Sequence, residues 1–253
     1  MEMQYEDRET LLILCDISGY TRFMSASGHA RIHSYVVVTE LMRAALKEVR
    51  SPIQVSKLEG DALFLYSWWP RTDRGDAELA CHAQETVSRI FAAFASRRAM
   101  LAAANVCPCE ACCNVEGLEL KVVIHSGRAA AQRIGRFHEL AGIDVIMAHR
   151  LLKNSVEASS YVLFTETAWR AIQPSGLGDH TQGIERYEEL GDVATYMFAP
   201  PAEAAACTLP RATVLQKAGD ILNKIGRSRL MRMGLIRRPR LTNADALAAP
   251  AAK

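Results

Sequence analysis

The sequence predicts an α+β fold of the ferredoxin-like type, in which helices pack on one face of a single sheet. Short apolar runs, such as residues 11–15, are typical of buried strands. Longer stretches, 30–49 and the alanine-rich 75–100, carry apolar residues at the spacing of a helix. The two kinds of stretch follow one another in the order β, α, β, β, α, β, which is the order of a ferredoxin-like sheet.

The remaining elements follow from the same patterns. The strands 53–57 and 62–67 are joined by the turn LEGD, and the helix 75–100 leads to a cysteine-rich insertion at 105–116. The stretch LELKVVIHSGRAAAQRIG predicts two strands around Ser126 and Gly127. A helix GIDVIMAHRLLKNSV, a strand SYVLF and a terminal pair ending in YEELGDVATYMFA complete the predicted domain.

The composition near residue 200 indicates where the compact domain ends. Beyond it the chain becomes rich in Ala and Pro, and then in Arg. We therefore expect a domain at 1–200, a basic amphipathic helical extension at 201–240 and a disordered tail at 241–253. A basic amphipathic helix can lie on an anionic membrane surface or contact a partner protein, and it can equally pack against its own domain or across a dimer.

Length and charge exclude several classes of protein. The 253 residues, 49% of them hydrophobic, are enough to bury a sizeable core without disulfides. A net charge of +2 creates no strong overall field, so neither nucleic acid nor acidic lipid is implied as a partner of the whole molecule. The acidic start MEMQYEDRET does not resemble a signal peptide, and no apolar run approaches about 18 residues. We therefore expect a cytoplasmic protein, with peripheral membrane contact only through the basic helix.

Two aspartates stand at strand ends that the predicted fold brings together. Asp16 follows the strand 11–15, and Asp61 lies in the hairpin KLEGDALF. A pair of carboxylates suits a hard divalent cation such as Mg²⁺ together with substrate phosphates. The turn at Gly19 leads into a helix, whose N-terminus favours phosphate. The alternative is that Asp16 caps the turn and Asp61 is an ordinary hairpin residue.

The insertion carries four candidate ligands for a soft metal ion such as zinc: Cys107, Cys109, Cys112 and Cys113. Four ligands from seven consecutive residues would strain a tetrahedral site. Cys113 can therefore point away and leave the fourth position to a more distant group or to a partner chain. An iron–sulfur cluster and a reduced, metal-free loop are the alternatives.

Four motifs together resemble the catalytic domain of class III nucleotidyl cyclases. CDISGYTRF, KLEGDALF, VVIHSGR and ELAGIDVIMAHRL occur in the order and approximate spacing of that family, and they span residues 11–198. The cysteine insertion and ELAGIDVIMAHRLLKN look closest to a bacterial branch of cyclase-like proteins known mainly as a domain of unknown function. The resemblance implies a head-to-tail homodimer that converts ATP or another nucleoside triphosphate to a cyclic nucleotide and pyrophosphate at the subunit interface.

The resemblance also implies which residues bind metal and phosphate. Asp16 and Asp61 match the aspartates that bind Mg²⁺ or Mn²⁺. The loop that meets the metal and the triphosphate corresponds to Ile17, Gly19, Tyr20 and Thr21.

Four further residues match positions that contact the base or the phosphates. Lys57 matches the lysine that reads the purine ring of ATP, and Glu139 falls where an acidic partner accepts a hydrogen bond from the adenine amino group. This pair favours ATP over GTP. Arg128 matches an arginine that contacts the triphosphate in some members, and Arg150 matches the arginine that stabilises the transition state. Asp16, Asp61 and Arg150 are thus the catalytic candidates.

Two departures from the family open a second interpretation. Ile146 replaces the asparagine that orients the ribose, and Glu188 or Glu189 aligns with a phosphate-binding lysine. Losing one such contact typically costs about a hundredfold to a thousandfold in rate. Arg133 or Arg136 could supply the missing cation, although nothing in the sequence brings either one to the site. The alternative to a cyclase is a degenerate pseudo-cyclase that binds nucleotide or acts as an interaction module.

Overall fold

The computed structural model describes residues 7–25, 29–134, 137–174, 178–202 and 212–222. Its strands are β1 (Asp7–Ser18), β2 (Gln54–Glu59), β3 (Ala62–Trp68), β4 (Glu119–Ile134), β5 (Phe137–Ala141), β6 (Tyr161–Thr165), β7 (His180–Tyr187) and β8 (Gly191–Phe198). Its helices are α1 (Tyr20–Met24), α2 (His29–Leu46), α3 (Asp73–Ala103), α4 (Glu110–Cys113), α5 (Ile143–Arg150), α6 (Glu166–Ile172) and α7 (Val214–Ile221), and a 3₁₀ turn covers Val115–Gly117.

The strands form one sheet in the order β2-β3-β1-β4-β6-β8-β7, and β5 pairs with β4. β4 and β6 run parallel, whereas the other described neighbours run antiparallel. β1, α2, β2, β3, α3 and β4 form the predicted βαββαβ unit. The α+β fold class is therefore confirmed.

The two faces of the sheet are covered differently, because successive residues of a strand point to opposite sides. Leu11 and Ile13 of β1 pack in the main core with residues of α2, α3 and α6. Leu12 and Leu14 form a second cluster with Val145 of α5. The structure thus differs from the predicted placement of the helices, since α5 packs on the face opposite to α2 and α3. Burial on both faces explains why β1 reads as an unbroken apolar run.

β4 is one continuous strand rather than the two strands expected around Ser126 and Gly127. It pairs with β1 without interruption from Asp7–Ala130 to Ser18–Glu119. Gly127 does not break this strand. A Cβ atom at this position would overlap the Asp144 carboxylate of α5, so the glycine makes room for that side chain.

Part of the predicted C-terminal extension lies within the described residues. α7 begins at a capping box formed by Thr213 and Gln216, and it lies against the end of α3, where the two helices line a cavity of about 190 Å³. Val214 and Leu215 are exposed. Most of the basic residues of the predicted helix, and the whole predicted disordered tail, lie outside the described residues, so the domain division at residue 200 stays a prediction. Among the described helices, none is both long and apolar enough to cross a membrane.

Candidate active site

The pairing of β1 with β3 places Asp16 next to the turn that carries Asp61. Asp16 is opposite Ala62 in the register, the residue next to Asp61, and the two carboxylates are close enough to interact electrostatically. Burial, followed by the negative charge of Asp16, raises the pKa of Asp61 to about 7. The predicted proximity of the two carboxylates is thus confirmed.

Lys121 is a third charged group at this position, and sequence reasoning missed it. It lies opposite Asp16 on β4, and its Nζ is 3.1 Å from Asp16 Oδ2. The same Nζ donates a hydrogen bond to the carbonyl oxygen of Leu152 at 2.8 Å. The side chains of Lys121 and Asp16 are only 19% and 17% exposed, so the ion pair is well shielded from water. A lysine within the apolar run LELKVVI was the available signal.

Lys57 and Glu139 form an ion pair within one chain. Lys57 Nζ of β2 is 3.2 Å from Glu139 Oε2 of β5 and 2.9 Å from Glu59 Oε1. Burial lowers the pKa of Lys57, but its hydrogen bonds to the two glutamates outweigh this effect and leave the pKa raised. Lys57 therefore stays protonated at neutral pH. Glu59, which the sequence analysis did not single out, shares this cation.

The carboxylate pair Asp16–Asp61 and the ion pair Lys57–Glu139 lie on the face of the sheet that α5 covers. Asp16 alternates in phase with Leu12 and Leu14, which face α5. Lys57 pairs with Phe64, a member of the same cluster. The carboxylate pair and the Lys57–Glu139 pair therefore belong to one surface.

The loop after β1 has the predicted turn but only a short helix. Ile17 is 2% exposed and packs in the main core, so only its backbone can serve a ligand. Gly19 adopts φ +83°, and a Cβ there would lie 3.0 Å from the carbonyl oxygen of Gly117, directly after the insertion. Burial, and then electrostatic interaction with Asp61 and Tyr35, raise the pKa of Tyr20. Thr21 is exposed.

Within one chain, the two candidate arginines are not joined to the carboxylate pair by any described contact. Arg128 Nε donates to Asp7 Oδ2 at 2.7 Å at the far end of β1. It lies seven residues along β4 from Lys121, about 23 Å at the usual rise of a strand. Arg150 is exposed at the end of α5, one turn after Ile146, which is 50% exposed.

Among the residues connected with the missing phosphate-binding lysine, the structure describes the side chains of the two glutamates that align with it. Glu188 and Glu189 are exposed in the turn between β7 and β8 and make no described ion pair. Arg136 lies outside the described residues, and the Arg133 side chain is likewise not among them.

The cysteine insertion brings three of its four predicted ligands together. Cys107, Cys109 and Cys112 cluster with His33 of α2, whose ring the sequence analysis did not include. Cys113 is exposed and its sulfur faces the carbonyl oxygen of Cys107 at 3.9 Å. The structure thus groups three of the cysteines with a histidine, while Cys113 points away, which the sequence analysis had allowed for. A lone histidine 74 residues from Cys107 gives no local signal in the sequence.

Comparison with known proteins identifies relatives by sequence and by fold. The family model described as "Protein of unknown function (DUF2652)" matches residues 38–161. A protein of Mycobacterium tuberculosis described as uncharacterized is 32% identical over 144 residues, which are 57% of this chain and 65% of that protein. This chain thus spans a little less than two thirds of that relative.

Solved structures that share the architecture are nucleotidyl cyclases. A bacterial light-regulated adenylyl cyclase superposes with a TM-score of 0.60 at 16% identity, over 87% of this chain and 58% of that chain. The guanylyl cyclase Cya2 gives 0.57 at 13% identity, over 82% and 100%. The core of a rhodopsin-guanylyl cyclase with converted specificity, in complex with ATPalphaS, gives 0.52 at 15% identity, over 78% and 99%. At these identities the likeness concerns the fold alone, and the fold of this chain is that of class III nucleotidyl cyclase domains.

Proposed function

We propose that this protein is a class III nucleotidyl cyclase that converts ATP to cyclic AMP and pyrophosphate in a homodimer. The observation that carries the proposal is the proximity of Asp16 and Asp61, on the same sheet face as the Lys57–Glu139 pair. The motif resemblance and the shared fold point to the same activity. The proposed roles of the arginines rest on the resemblance.

The carboxylate pair suits Mg²⁺ or Mn²⁺. Two crowded carboxylates, one with a raised pKa, repel each other, and a divalent cation relieves that repulsion. Activation of the ribose 3′-hydroxyl and neutralisation of the triphosphate are the chemistry that such an ion supplies when bound. Lys121 holds Asp16 in place and balances part of the negative charge.

The Lys57–Glu139 pair suits the edge of adenine. The Glu139 carboxylate can accept a hydrogen bond from the amino group, while the Lys57 ammonium can donate to a ring nitrogen. Both side chains are about one third exposed, so a base can reach them. The raised pKa of Lys57 keeps it a donor at neutral pH.

The exposed side of α5 supports a dimer. Ile143 and Ile146 lie three residues apart on α5 and are 61% and 50% exposed. Apolar side chains grouped in this way are typical of surfaces that a partner covers. Arg150 continues the row on α5, where a second copy would meet it.

The test is incubation of the purified protein with ATP, GTP, CTP or UTP and Mg²⁺ or Mn²⁺, with products resolved by mass spectrometry. We expect cyclic AMP to predominate, and Asp61→Asn to reduce it at least about a hundredfold. Asp192→Asn, an exposed carboxylate of the β7–β8 hairpin, is the matched control and should retain the activity. Lys57→Met should lower kcat/KM for ATP more than for GTP.

The principal alternative is a pseudo-cyclase, which Ile146 and the exposed Glu188 favour. It predicts that no cyclic nucleotide forms from any triphosphate, although the protein is folded and dimeric. In that case the cyclase proposal is wrong, and ATP binding that depends on Lys57 would establish a nucleotide-binding module instead.

A further inference from the structure

The cluster in the cysteine insertion has the dimensions of a coordination shell. His33 Nδ1 lies 3.4 Å from Cys109 Sγ and 3.5 Å from the sulfurs of Cys107 and Cys112. All four ligand atoms lie within 4.8 Å of one another. For Zn–S of about 2.3 Å and Zn–N of about 2.0–2.1 Å, tetrahedral angles place the nitrogen roughly 3.6 Å from each sulfur. The observed distances match this value.

Hydrogen bonding alone does not account for the arrangement. A ring nitrogen carries at most one hydrogen, so it cannot donate to three sulfurs at once. Its nearly equal distances to Cys107, Cys109 and Cys112 are instead what three ligands around a common centre require. Cys112 is 2% exposed and the other three residues are half-buried, so the cluster is also shielded from competing water.

Local structure explains which cysteines meet. Cys109 is the N-cap of α4, and Cys112 lies three residues later on the same side of that short helix. Cys113, one position further, points to the exposed side. The side chain of Asn105 fixes the loop before α4, because its amide group donates to the carbonyl oxygens of Cys107 and Cys112 at 3.1 and 3.2 Å.

We propose that His33, Cys107, Cys109 and Cys112 bind one Zn²⁺ ion, which fastens the insertion to α2 and thereby fixes the loop around Gly19. The donor set of three thiolates and one imidazole is one that zinc prefers in structural sites. It fills the tetrahedron with protein ligands, so the ion has a structural role. The site is separate from the carboxylate pair and does not depend on the proposed cyclase activity.

Two contacts connect this site to the loop after β1. Directly after the insertion, at the end of the 3₁₀ turn Val115–Gly117, the Gly117 carbonyl oxygen lies against Gly19, where even a Cβ would come within 3.0 Å. On α2, the hydroxyl of Ser34, next to His33, donates to the carbonyl oxygen of Phe23 in α1 at 3.1 Å. Joining α2 to the insertion therefore holds the loop from both sides.

The first test is the metal content of the full-length protein purified under reducing conditions. We expect about one zinc ion per chain by elemental analysis in the wild type and in the matched control Cys113→Ser, and its loss in His33→Ala. After Co²⁺ substitution, the absorption should be that of a tetrahedral ion with thiolate ligands. His33→Cys should retain the metal and raise the thiolate-to-Co²⁺ absorption by about a third, the ratio of four thiolates to three.

Two results would overturn the assignment. If reduced wild-type protein binds neither Zn²⁺ nor Co²⁺, the cysteines form a metal-free loop. If Cys113→Ser loses the metal while His33→Ala keeps it, the ligands are the four cysteines.

The second test concerns the loop and is read by hydrogen exchange. Removing zinc with a chelator should accelerate amide exchange in residues 16–25 and leave the β7–β8 hairpin unchanged. Unchanged exchange in 16–25 would show that the ion does not fix the loop.

Discussion

Replacement of Asp144 by alanine should destabilise the protein by about 2–3 kcal/mol. Asp144 Oδ2 accepts a hydrogen bond from the Arg128 backbone N–H at 2.7 Å, and Oδ1 accepts one from His125 Nε2 at 3.0 Å. Each hydrogen bond to a charged group contributes about 1.5–3 kcal/mol. Two such bonds sum to about 3–6 kcal/mol, but the side chain is 26% exposed, so water compensates part of the loss and the expected cost lies at or just below the lower end of that range.

Asp144→Asn should cost less, about 1 kcal/mol, because the amide can satisfy both neighbours. Its oxygen can accept from Arg128 N–H, and its nitrogen can donate to His125 Nε2 if the imidazole proton moves to Nδ1. His125 Nδ1 is 2.9 Å from the hydroxyl of Thr165, and this hydroxyl can accept as well as donate a hydrogen bond. Because of this geometry around His125, we expect Asp144→Ala to lose more unfolding free energy than Asp144→Asn.

The pH dependence provides an independent check. The hydrogen bond from His125, assisted by that from Arg128 N–H and opposed by burial, lowers the pKa of Asp144. A group with a lowered folded-state pKa stabilises the protein above its unfolded-state value, about 3.9, and this stabilisation is lost as the pH falls through the folded-state pKa. The difference in unfolding free energy between wild type and Asp144→Asn should thus be full at pH 7 and shrink in acid.

The assay is urea unfolding followed by circular dichroism from pH 7 into the acid range. The control is Glu78→Gln, which removes an exposed ion pair with Arg74 and should change the unfolding free energy by less than about 0.5 kcal/mol. The reasoning fails if Asp144→Ala costs no more than this control, or if the cost of Asp144→Asn stays constant as the pH falls below 3.9.

Three further outcomes follow from single positions. Gly127→Ala should cost about 2 kcal/mol through overlap with the Asp144 carboxylate. Combined with Asp144→Ala it should cost less than the sum of the two single changes in unfolding experiments, and strict additivity would contradict the overlap. Gly19→Ala should lower the melting temperature more than Gly60→Ala. Both positions have positive φ, but only Gly19 faces a backbone oxygen, so equal losses would exclude that contact as a factor. Cys15 is 2% exposed, and burial raises its pKa to about 12. Iodoacetamide should therefore label the exposed thiols of the native protein before Cys15, as read by peptide mass spectrometry. Early labelling of Cys15 would refute its protection.

Much of the fold could be predicted because its signals are local. The apolar run of β1, the turn between β2 and β3, and the long periodic helix α3 each depend on neighbouring residues. The side of the sheet that α5 occupies is not local, since it depends on Asp144 meeting His125 and the Arg128 backbone on β4. The continuity of β4 through Gly127 is also non-local, because Asp144 of α5 fills the space that the glycine leaves.

The residues of the candidate site likewise differ in whether a local signal predicts them. Asp16 and Asp61 could be paired from the sequence because a hairpin and a neighbouring strand fix their register. Lys121 required the order of strands in the sheet, which places β4 beside β1. His33 required the packing of α2 against the insertion, which no spacing encodes. Residues brought together by the order of strands or by helix packing are therefore the ones that sequence reasoning missed.

Ile146 changes what the exposed side of α5 can do in the proposed dimer. An asparagine there could hydrogen-bond a ribose, whereas isoleucine adds apolar area beside Ile143. Arg150, one turn further on, keeps its charge and exposure. In the proposed dimer, Ile146 would favour subunit contact at the expense of substrate orientation, while the carboxylates and the Lys57–Glu139 pair keep their geometry. A site altered in this way should retain nucleotide and metal binding better than it retains rate, because positioning of the ribose affects mainly the transition state.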